Sequence, residues 1–382
     1  MSISINITGD YCPTNRMEEY LRNDQYSILP KEFTKMLANA DLNITNLECP
    51  VIDSSTPAKK FGPTLSTDRL AVDFLKSVNF NLVTLANNHI MDHGAGGLES
   101  TLSYLNKANI HTVGAGMSQK ESRRPFLLEK NGVKLAIINI AENEFISAKD
   151  SQCGANPFCF ISLFQQITYA KEKSNKIIVI VHGGNENYSL PSPRFRDTLR
   201  HIIEIGSDAV IAHHSHCVGG VEVFNGCPIF YGIGNFLFDG GENSSIDWCQ
   251  GLAVRLTVKA DNNIKYELLP FIQNYKNTLG LKLMEQNDRQ SFLESLEEKN
   301  KVIMSDTLLE QAYKEFIHKV EKQYLHFLQP YTNRFLHKMY SLGFIPSIFK
   351  NSKKRMLYLN LIRCESHRDI ILNLLKRENS HP

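Results

Sequence analysis

Side chains that can bind metal ions recur at five places within the first 216 residues, and each place follows an apolar run. Carboxylate oxygen, amide oxygen and imidazole nitrogen together form a donor set that divalent cations accept. The sequence therefore predicts a metal site built from distant segments of the chain. The five clusters are Gly9-Asp10, Asn46-Leu47-Glu48, Asn87-Asn88-His89, His182-Gly183-Gly184 and His213-His214-Ser215-His216.

The number of donors is large enough for two cations. A pair of ions about 3.5–4 Å apart needs a bridging carboxylate and further ligands on both sides. Asp10 or Glu48 could supply the bridge, and an extended backbone would turn His214 and His216 to one side and His213 to the other. We expect two divalent ions, and Mn, Fe and Zn all suit such mixed donors. The expected ligands are Asp10, Glu48, Asn88, His182, His214 and His216.

Each of these residues also has an ordinary structural explanation. Asp10 could be a turn or capping residue, and Glu48 could be a surface carboxylate. The pair Asn87-Asn88 could simply end a strand. Three histidines within residues 213–216 are harder to explain in this way, because a core histidine normally occurs singly. Since all five clusters follow apolar runs, we favour a functional site.

The elements that must position these clusters are strands. The alternating polar and apolar residues 2–8 and the stretches at 42–45, 81–86, 176–181 and 208–212 predict strands, and the first should end at Gly9-Asp10. Helical patterns alternate with them up to residue 212, and paired strands follow the turn at Asn225-Gly226. This order predicts an α/β core with a mixed sheet. Ligands in α/β folds gather at the carboxyl ends of strands, where these clusters lie.

The pattern changes near residue 280. Beyond it we predict helices at 284–297, 306–328, 331–341 and 360–377, so we divide the chain into an α/β domain at 1–278 and a helical region at 279–382. Residues 331–382 hold ten Lys and Arg against three Asp and Glu, in a chain of net charge +2. This basic region could be a solvated helical surface or a contact for a polyanion or an anionic membrane.

Composition excludes several classes of protein. A hydrophobic fraction of 42% with 21% charged residues is ordinary for a globular protein, so whole-chain disorder is excluded. We find neither a signal peptide nor a long apolar run and expect a cytoplasmic protein, at most peripheral to a membrane. The eight cysteines lack a CxxC pair and are expected as free thiols. No nucleic-acid-binding motif is present, and no such partner is expected.

Longer motifs surround the polar clusters. They are Gly9-Asp10, Asn46-Leu47-Glu48-Cys49-Pro50, Phe61-Gly62-Pro63, Leu85-Ala86-Asn87-Asn88-His89-Ile90-Met91-Asp92-His93-Gly94, Val113-Gly114-Ala115-Gly116, His182-Gly183-Gly184-Asn185-Glu186, His213-His214-Ser215-His216 and Ile229-Phe230-Tyr231-Gly232-Ile233-Gly234-Asn235-Phe236. In sequence and in order these motifs resemble those of CapA-type capsule or poly-γ-glutamate biosynthesis proteins, the PGA_cap family. The resemblance covers about residues 3–275. It implies a four-layer α/β/β/α sandwich similar to calcineurin-like metallophosphoesterases, followed here by the helical appendage.

The resemblance implies a role for each metal ligand. Asp10 corresponds to the aspartate ligand of the first strand, and Glu48 to the bridging carboxylate, which is aspartate in most phosphoesterases. Asn88 and His182 are similar to the amide and imidazole ligands of one metal. The remaining two ligands, His214 and His216, match the histidines of the closing block, where His213 replaces a glycine.

Three further residues are candidate catalytic groups. His89 resembles the histidine that sits beside the leaving group in phosphoesterases, as general acid or charge stabiliser. Asp92 could orient His89 or cap the helix predicted from Gly94. Glu186 could be a base or a substrate contact, or a solvated loop residue. Cys12 stands where phosphoesterases usually carry a histidine ligand, so either one metal is held less tightly or Cys12 is a thiolate ligand.

Together these features predict a metal-dependent hydrolase. A metal-bridged hydroxide would attack a phosphoester or a bond of an anionic capsule-type polymer such as poly-γ-glutamate. The alternative is a non-catalytic component that binds polymer or assists assembly in capsule biosynthesis. In that case the basic C-terminal helices would contact polymer, a membrane surface or the capsule machinery.

Overall fold

The structure is a computed structural model that describes residues 2–23, 28–58, 60, 62–143, 152–327, 333–347, 350–351, 354–355, 358 and 362. The chain divides into two compact units, residues 1–313 and 314–382. The described strands are β1 (Ile3–Cys12), β2 (Leu42–Leu47), β3 (Leu82–Thr84), β4 (His111–Val113), β5 (Ala115–Gly116), β6 (Phe126–Lys130), β7 (Val133–Ala141), β8 (Gly154–Ala155), β9 (Lys176–His182), β10 (Ala209–His213), β11 (Val221–Phe224), β12 (Cys227–Phe230), β13 (Asn235–Phe238), β14 (Gln250–Val258), β15 (Lys265–Gln273) and β16 (Leu281–Leu283).

The helices lie between the parallel strands and after the last strand. Among the described residues, no helix combines the length and the apolar character that a bilayer crossing requires. The described helices are α1 (Arg16–Arg22), α2 (Lys31–Ala38), α3 (Leu70–Ser77), α4 (Gly94–Lys107), α5 (Gln119–Ser122), α6 (Phe160–Lys173), α7 (Pro193–Glu204), α8 (Ile246–Cys249), α9 (Gln286–Met304), α10 (Asp306–Phe327) and α11 (Arg334–Ser341).

Two mixed sheets form the centre of the first unit. The first sheet has the order β16-β15-β14-β1-β2-β3-β4, with β13 also paired to β1, and the second has the order β11-β12-β10-β9-β7-β6. Strands β1 to β4 are parallel to one another, and so are β7, β9, β10 and β12. The remaining strands of the two sheets pair antiparallel, except for β13, which is parallel to β1. The predicted α/β core with mixed sheets is confirmed.

The two sheets face each other across an apolar layer. Ile5 and Ile7 of β1 and Ile137 and Ile178 of the second sheet are fully buried in one cluster. Alternate residues of a strand point to opposite faces, so each strand of the sandwich must be apolar on both sides. This requirement explains why β7 and β9 read as almost continuous apolar runs rather than as alternating ones.

Helices cover the outer face of each sheet. Phe33, Phe74 and Leu98, from α2, α3 and α4, are buried against the first sheet. Leu163 of α6 and Leu199 of α7 are buried against the second. The layers therefore run helix, sheet, sheet, helix. The four-layer α/β/β/α sandwich that the family resemblance implies is confirmed.

The first strand is longer than predicted. We expected it to end at Gly9-Asp10, but β1 continues to Cys12 because β13 pairs with its last residues, and Asp10 lies opposite Asn235. A side chain at Gly9 would place its Cβ 1.8 Å from the carbonyl oxygen of Gly234. Glycine is therefore required where the two backbones approach each other.

The first unit also extends beyond the boundary that we predicted at residue 278. Helix α9 packs Phe292 and Leu296 against the apolar layer between the sheets. Lys299 donates a hydrogen bond to the carbonyl oxygen of Val218 at 2.7 Å. The predicted helix at 331–341 corresponds to α11 in the second unit. The predicted helix at 360–377, with most of its basic residues, lies outside the described residues except for Ile362.

One ion pair ties the start of α1 to the residue that follows β13. The buried carboxylate of Asp239 receives two hydrogen bonds from the Arg16 guanidinium, from Nε at 2.9 Å and from Nη2 at 2.6 Å. It also accepts the backbone N–H of Gly241. Burial acts to raise the pKa of Asp239, but these partners hold it below its ordinary value of 3.8. Such a bidentate pair is geometrically specific and resists separation.

We predict that Asp239→Asn lowers the free energy of unfolding by about 2–3 kcal/mol at pH 7, because the Arg16 guanidinium loses its ionised partner. The contribution of Asp239 is complete above its unfolded pKa of about 3.9 and is lost as the pH falls through its lower folded pKa. The difference between the two proteins in urea denaturation should therefore narrow below about pH 4.

The matched control is Glu18→Gln. It removes the partner of Arg22 in a pair whose side chains are 57% and 39% exposed, and we expect a change below about 1 kcal/mol. An equal decrease in the free energy of unfolding in Asp239→Asn and Glu18→Gln would contradict a special role for the Arg16–Asp239 pair.

Candidate metal centre

Glu48 lies at the centre of the predicted site. It follows β2 and is fully buried where the carboxyl ends of strands from both sheets meet. Two groups of side chains place their ligand atoms within 4.8 Å of one another, and Glu48 belongs to both. Either group could hold a metal ion. The first group is Glu48, His182 and His214, and the second is Asp10, Glu48 and His216.

The burial of the Glu48 carboxylate and its missing hydrogen-bond partners within the described part of the chain suit a metal ligand. Both of its carboxylate oxygens are buried and have no hydrogen-bond partner among the described residues. Burial, followed by the negative charge of Asp10, raises the pKa of Glu48 well above its ordinary value. A buried carboxylate without donors is costly, and a divalent cation supplies the missing positive charge. The donor set of the site therefore suits a metal ion.

Asn88 and His182 lie on one side of Glu48. The His182 Nε2 is 3.3 Å from Glu48 Oε1 and 3.0 Å from the amide oxygen of Asn88. It is also 3.2 Å from Nδ1 of His214. Burial, followed by the nearby His214, lowers the pKa of His182 well below its ordinary value. A neutral imidazole keeps a lone pair for a metal ion.

Asp10 and His216 lie on the other side. The Nδ1 of His216 is 3.5 Å from Asp10 Oδ2, and its Nε2 is 3.8 Å from Glu48 Oε1. Asp10 also accepts hydrogen bonds from the Asn46 amide at 2.8 Å and from the backbone N–H of His214 at 3.1 Å. Burial opposes ionisation of Asp10, but His213 and the other histidines hold its pKa well below the ordinary range. Asp10 is therefore available as an anionic ligand.

The expected orientation of His213 was wrong. Strand β10 ends at His213, and His214 and His216 take φ angles of 90° and 53°, which an extended strand does not contain. This turn brings all three imidazoles toward the centre, and His213 Nδ1 lies 3.0 Å from Asp10 Oδ1. Positive φ is strained for residues other than glycine, so the surrounding contacts must hold the turn in place.

His89 is fixed by a carboxylate. Its Nδ1 lies 2.7 Å from Asp92 Oδ2, and Lys60 forms an ion pair with the other oxygen of Asp92. Burial acts to raise the pKa of Asp92, but the hydrogen bonds from His89, Lys60 and the backbone of Leu65 lower it. Asp92 does not cap α4, whose N-cap residue His93 makes no side-chain cap. Of the two roles that we considered for Asp92, the structure shows the contact with His89.

Glu186 and Cys12 lie outside the two ligand groups. Glu186 is exposed in the loop after β9, but its charge contributes to the raised pKa of Glu48, after burial and Asp10. Cys12 is buried in the apolar cluster beneath the first sheet. Burial and the neighbouring Cys49 raise its pKa, which favours a thiol over a thiolate.

Three residues outside the predicted ligand set support the candidate ligands. Asn46 and His213 both contact Asp10 Oδ1. Asn235, at the start of β13, places its amide oxygen 2.9 Å from His216 Nδ1. The Gly-Asn-Phe motif contained a signal for Asn235, but only the pairing of β13 with β1 brings it to the site. Such contacts fix the orientation of a histidine ligand.

A cavity of about 170 Å³ opens beside the first ligand group. Glu142 forms part of its wall and accepts a hydrogen bond from the backbone N–H of Gly184 at 2.8 Å. The guanidinium of Arg194 pairs with the other oxygen of Glu142 and is 64% exposed. The centre is therefore accessible to a ligand from this side. The lining residues are Asn88, Glu142, Asn143, His182, Gly183, Gly184 and His214.

Fold and site together define an α/β/β/α protein with a buried centre of carboxylates and histidines. Residues 4–240 match the model of the family described as bacterial capsule synthesis protein PGA_cap. This match spans more than half of the chain and contains every predicted site residue. The chain belongs to this family.

Two relatives found by sequence comparison carry names that agree with this assignment. The PGA biosynthesis protein CapA of Bacillus subtilis is 33% identical over 54% of this chain and 54% of that protein. The capsule biosynthesis protein CapA of Bacillus anthracis is 28% identical over 63% of this chain and 60% of that protein. The chain thus spans a little over half the length of these relatives. A hypothetical protein from Thermus thermophilus, solved by crystallography, aligns with a TM-score of 0.43 at 14% identity, covering 70% of this chain and 99% of that one.

We predict that Glu48→Gln leaves the metal-free protein at least as stable as the wild type. The substitution keeps the shape of the side chain and removes a charge that has no hydrogen-bond donor among the described residues. Saturating Mn²⁺ should raise the thermal midpoint of the wild type, by the equivalent of about 2.7 kcal/mol at a hundredfold excess over Kd, and should not raise that of the variant.

The control is Glu99→Gln, at an exposed position of α4. It should keep the full Mn²⁺ response. A Glu48→Gln protein that Mn²⁺ stabilises as strongly as the wild type would show that Glu48 is not a ligand.

Proposed function

We propose that the protein is a metal-dependent hydrolase that acts on an anionic capsule-type polymer such as poly-γ-glutamate. The observation that carries this proposal is that two three-residue ligand groups share one buried carboxylate, Glu48, which has no other hydrogen-bond partner among the described residues. Such sharing is the arrangement that a pair of divalent cations requires.

The ligands divide between the two sides of Glu48. Asn88, His182 and His214 would hold one cation, and Asp10 and His216 the other, with Mn, Fe or Zn as suitable ions. When bound, two such cations lower the pKa of a water molecule and polarise the oxygen of the bond to be cleaved. Asn46, His213 and Asn235 would keep Asp10 and His216 in position through the hydrogen bonds described above.

His89 is the proposed proton donor to the leaving group. The carboxylate of Asp92 can only accept a hydrogen bond, so the Nδ1 of His89 must carry the proton between them. The proton given to the leaving group would come from Nε2, so His89 would act with both ring nitrogens protonated and would keep Nδ1–H on Asp92. Lys60 keeps Asp92 ionised, and Asn88, the neighbour of His89 in the chain, contacts His182. His89 is thereby tied to the same segment as a metal ligand.

The family and its named relatives support a capsule polymer as substrate. Two of the relatives carry the names PGA biosynthesis protein and capsule biosynthesis protein. The bond that is cleaved would then be an amide of the polymer, whose carbonyl oxygen a cation can polarise. A phosphoester is the other bond that such a centre can hydrolyse, and the assay below includes both.

A second candidate is a non-catalytic component of capsule biosynthesis. The relatives are named for biosynthesis rather than for hydrolysis, which favours a role in handling the polymer as it is made. In that case the basic C-terminal region, of which α11 is described, would contact the polymer, a membrane surface or partner proteins. This candidate requires no turnover, so an activity measurement separates the two.

We predict that the Mn²⁺-loaded protein shortens poly-γ-glutamate, or hydrolyses a chromogenic phosphodiester, and that His214→Ala lowers the rate at least about a hundredfold. His201→Ala removes a histidine that is about half exposed on α7 and should keep the wild-type rate. Chain length by gel filtration and release of the chromophore are the two readouts. Equal rates in the wild type and in His214→Ala would exclude the proposed centre.

Metal analysis of the same preparations tests the two-ion arrangement. We expect about two equivalents per chain in the wild type and fewer in Glu48→Ala, because the shared ligand is lost. Absence of turnover together with binding of the polymer would support the non-catalytic candidate.

We predict that Asp92→Asn lowers kcat about tenfold to a hundredfold and changes KM little, because His89 loses the carboxylate that orients it. The Mn²⁺-dependent rise in the thermal midpoint should persist, since Asp92 belongs to neither ligand group. The control is Asp73→Asn at an exposed position of α3. A variant with unchanged kcat and a raised KM would instead assign Asp92 to substrate binding.

A further inference from the structure

A second concave surface lies between α5 and α6, and it carries three positive charges. The groove has a volume of about 580 Å³. Lys120, Arg123 and Arg124 line one wall, and none of them forms an ion pair with a carboxylate of the described residues. Several other arginines of the first unit do pair with carboxylates, among them Arg16, Arg194, Arg196 and Arg200. The groove therefore concentrates uncompensated positive charge.

The guanidinium of Arg123 lacks an acceptor at one nitrogen. Its Nε is shielded from solvent and has no hydrogen-bond partner among the described residues. An arginine carries five N–H donors, and a buried donor without an acceptor costs about 1–3 kcal/mol. A carboxylate in the groove would offer two oxygens to this planar group. This side chain indicates an anionic ligand.

The opposite wall of the groove offers amide and apolar groups. Gln165, Gln166 and Tyr169 of α6 line it, and Tyr169 is 46% exposed. The amide of Gln166 is held in place, because its Oε1 accepts from Asn156 at 2.9 Å and its Nε2 donates to the Ser162 carbonyl oxygen. The amide of Gln165 is exposed and can both donate and accept. A ligand that matches both walls has carboxylates, amides and methylene groups.

We propose that this groove binds a segment of an acidic polyamide, a chain in which carboxylates and amide bonds alternate with short methylene spacers. Arg123, Arg124 and Lys120 would pair with the carboxylates. Gln165 would hydrogen-bond an amide of the chain, and the ring of Tyr169 would cover its methylene groups. A polyphosphate matches only the basic wall, because it has no amide or methylene group.

A short series of hydrogen bonds connects the groove to the metal centre. Asn156, which holds Gln166, also donates to the backbone carbonyl oxygen of Asn139. The side-chain oxygen of Asn139 accepts the backbone N–H of Ala86 at 2.7 Å, two residues before the ligand Asn88. The identity of the polymer proposed for the groove rests on the proposed function, but its binding in the groove does not depend on hydrolysis.

The test measures binding alone. Fluorescence anisotropy of a short fluorescein-labelled oligoglutamate is followed with the full-length wild type and with Arg123→Gln/Arg124→Gln. We expect the double variant to bind at least about tenfold more weakly, because two charge-assisted contacts are lost. Arg69→Gln/Lys173→Gln removes the same charge at two exposed positions outside the groove and should bind like the wild type.

Each further outcome decides the question. Equal loss of affinity in both double variants would show that general electrostatic attraction accounts for the binding, and this result would overturn the proposal. Competition by tripolyphosphate that is as strong, per charge, as competition by unlabelled oligoglutamate would also overturn it, because the amide wall would then contribute nothing. The hydrolysis rate of the chromogenic phosphodiester should be equal in wild type and groove variants. A wild type that hydrolyses the phosphodiester but binds oligoglutamate no better than the groove variant contradicts only this inference. Groove-dependent binding of oligoglutamate without any hydrolysis contradicts only the proposed function.

Discussion

Two carboxylates, Asp10 and Glu48, are buried together where the strand ends of both sheets meet, and the rest of the centre depends on this unfavourable interaction. Repulsion between them, added to burial, raises the pKa of Glu48, while histidines and an amide stabilise the charge of Asp10. A protein that evolved only for stability would replace such a pair by apolar side chains. The negative charge that remains unbalanced at Glu48 is one that a bound cation would neutralise.

The fold around this pair is arranged to keep the donors close despite that repulsion. Gly9 allows the start of β13 to approach β1, which brings Asn235 to His216. The turn after β10 holds His214 and His216 at positive φ, and its backbone N–H at His214 donates to Asp10. This turn thus contains two of the non-glycine residues at positive φ, both of them candidate ligands, and the flanking sheets, buried on both faces, supply the rigidity that maintains it.

The sequence was sufficient for features that depend on local patterns. Apolar runs predicted β2, β9 and β10 within a few residues, and the polar clusters that follow these three strands are close together in space. Features that depend on pairing between distant segments were not predictable. The extension of β1 to Cys12 and the supporting role of Asn235 both require β13, more than 200 residues away. Helix α9 was predicted, but an amphipathic pattern does not reveal which surface its apolar face covers.

The groove and the centre place complementary demands on a polyanionic ligand. The centre consists of carboxylates and neutral donors, which suit cations. The groove instead presents cationic side chains that have no carboxylate partner in the described part of the chain. A polyanion on its own would be repelled by Asp10, Glu48 and Glu186. On the proposed function, cations bound at the centre would reverse this local charge, and the basic groove would then attract the same chain over a longer distance. Metal binding and polymer binding would be coupled through charge, because the polymer would approach Glu48 only after cations had neutralised the carboxylates.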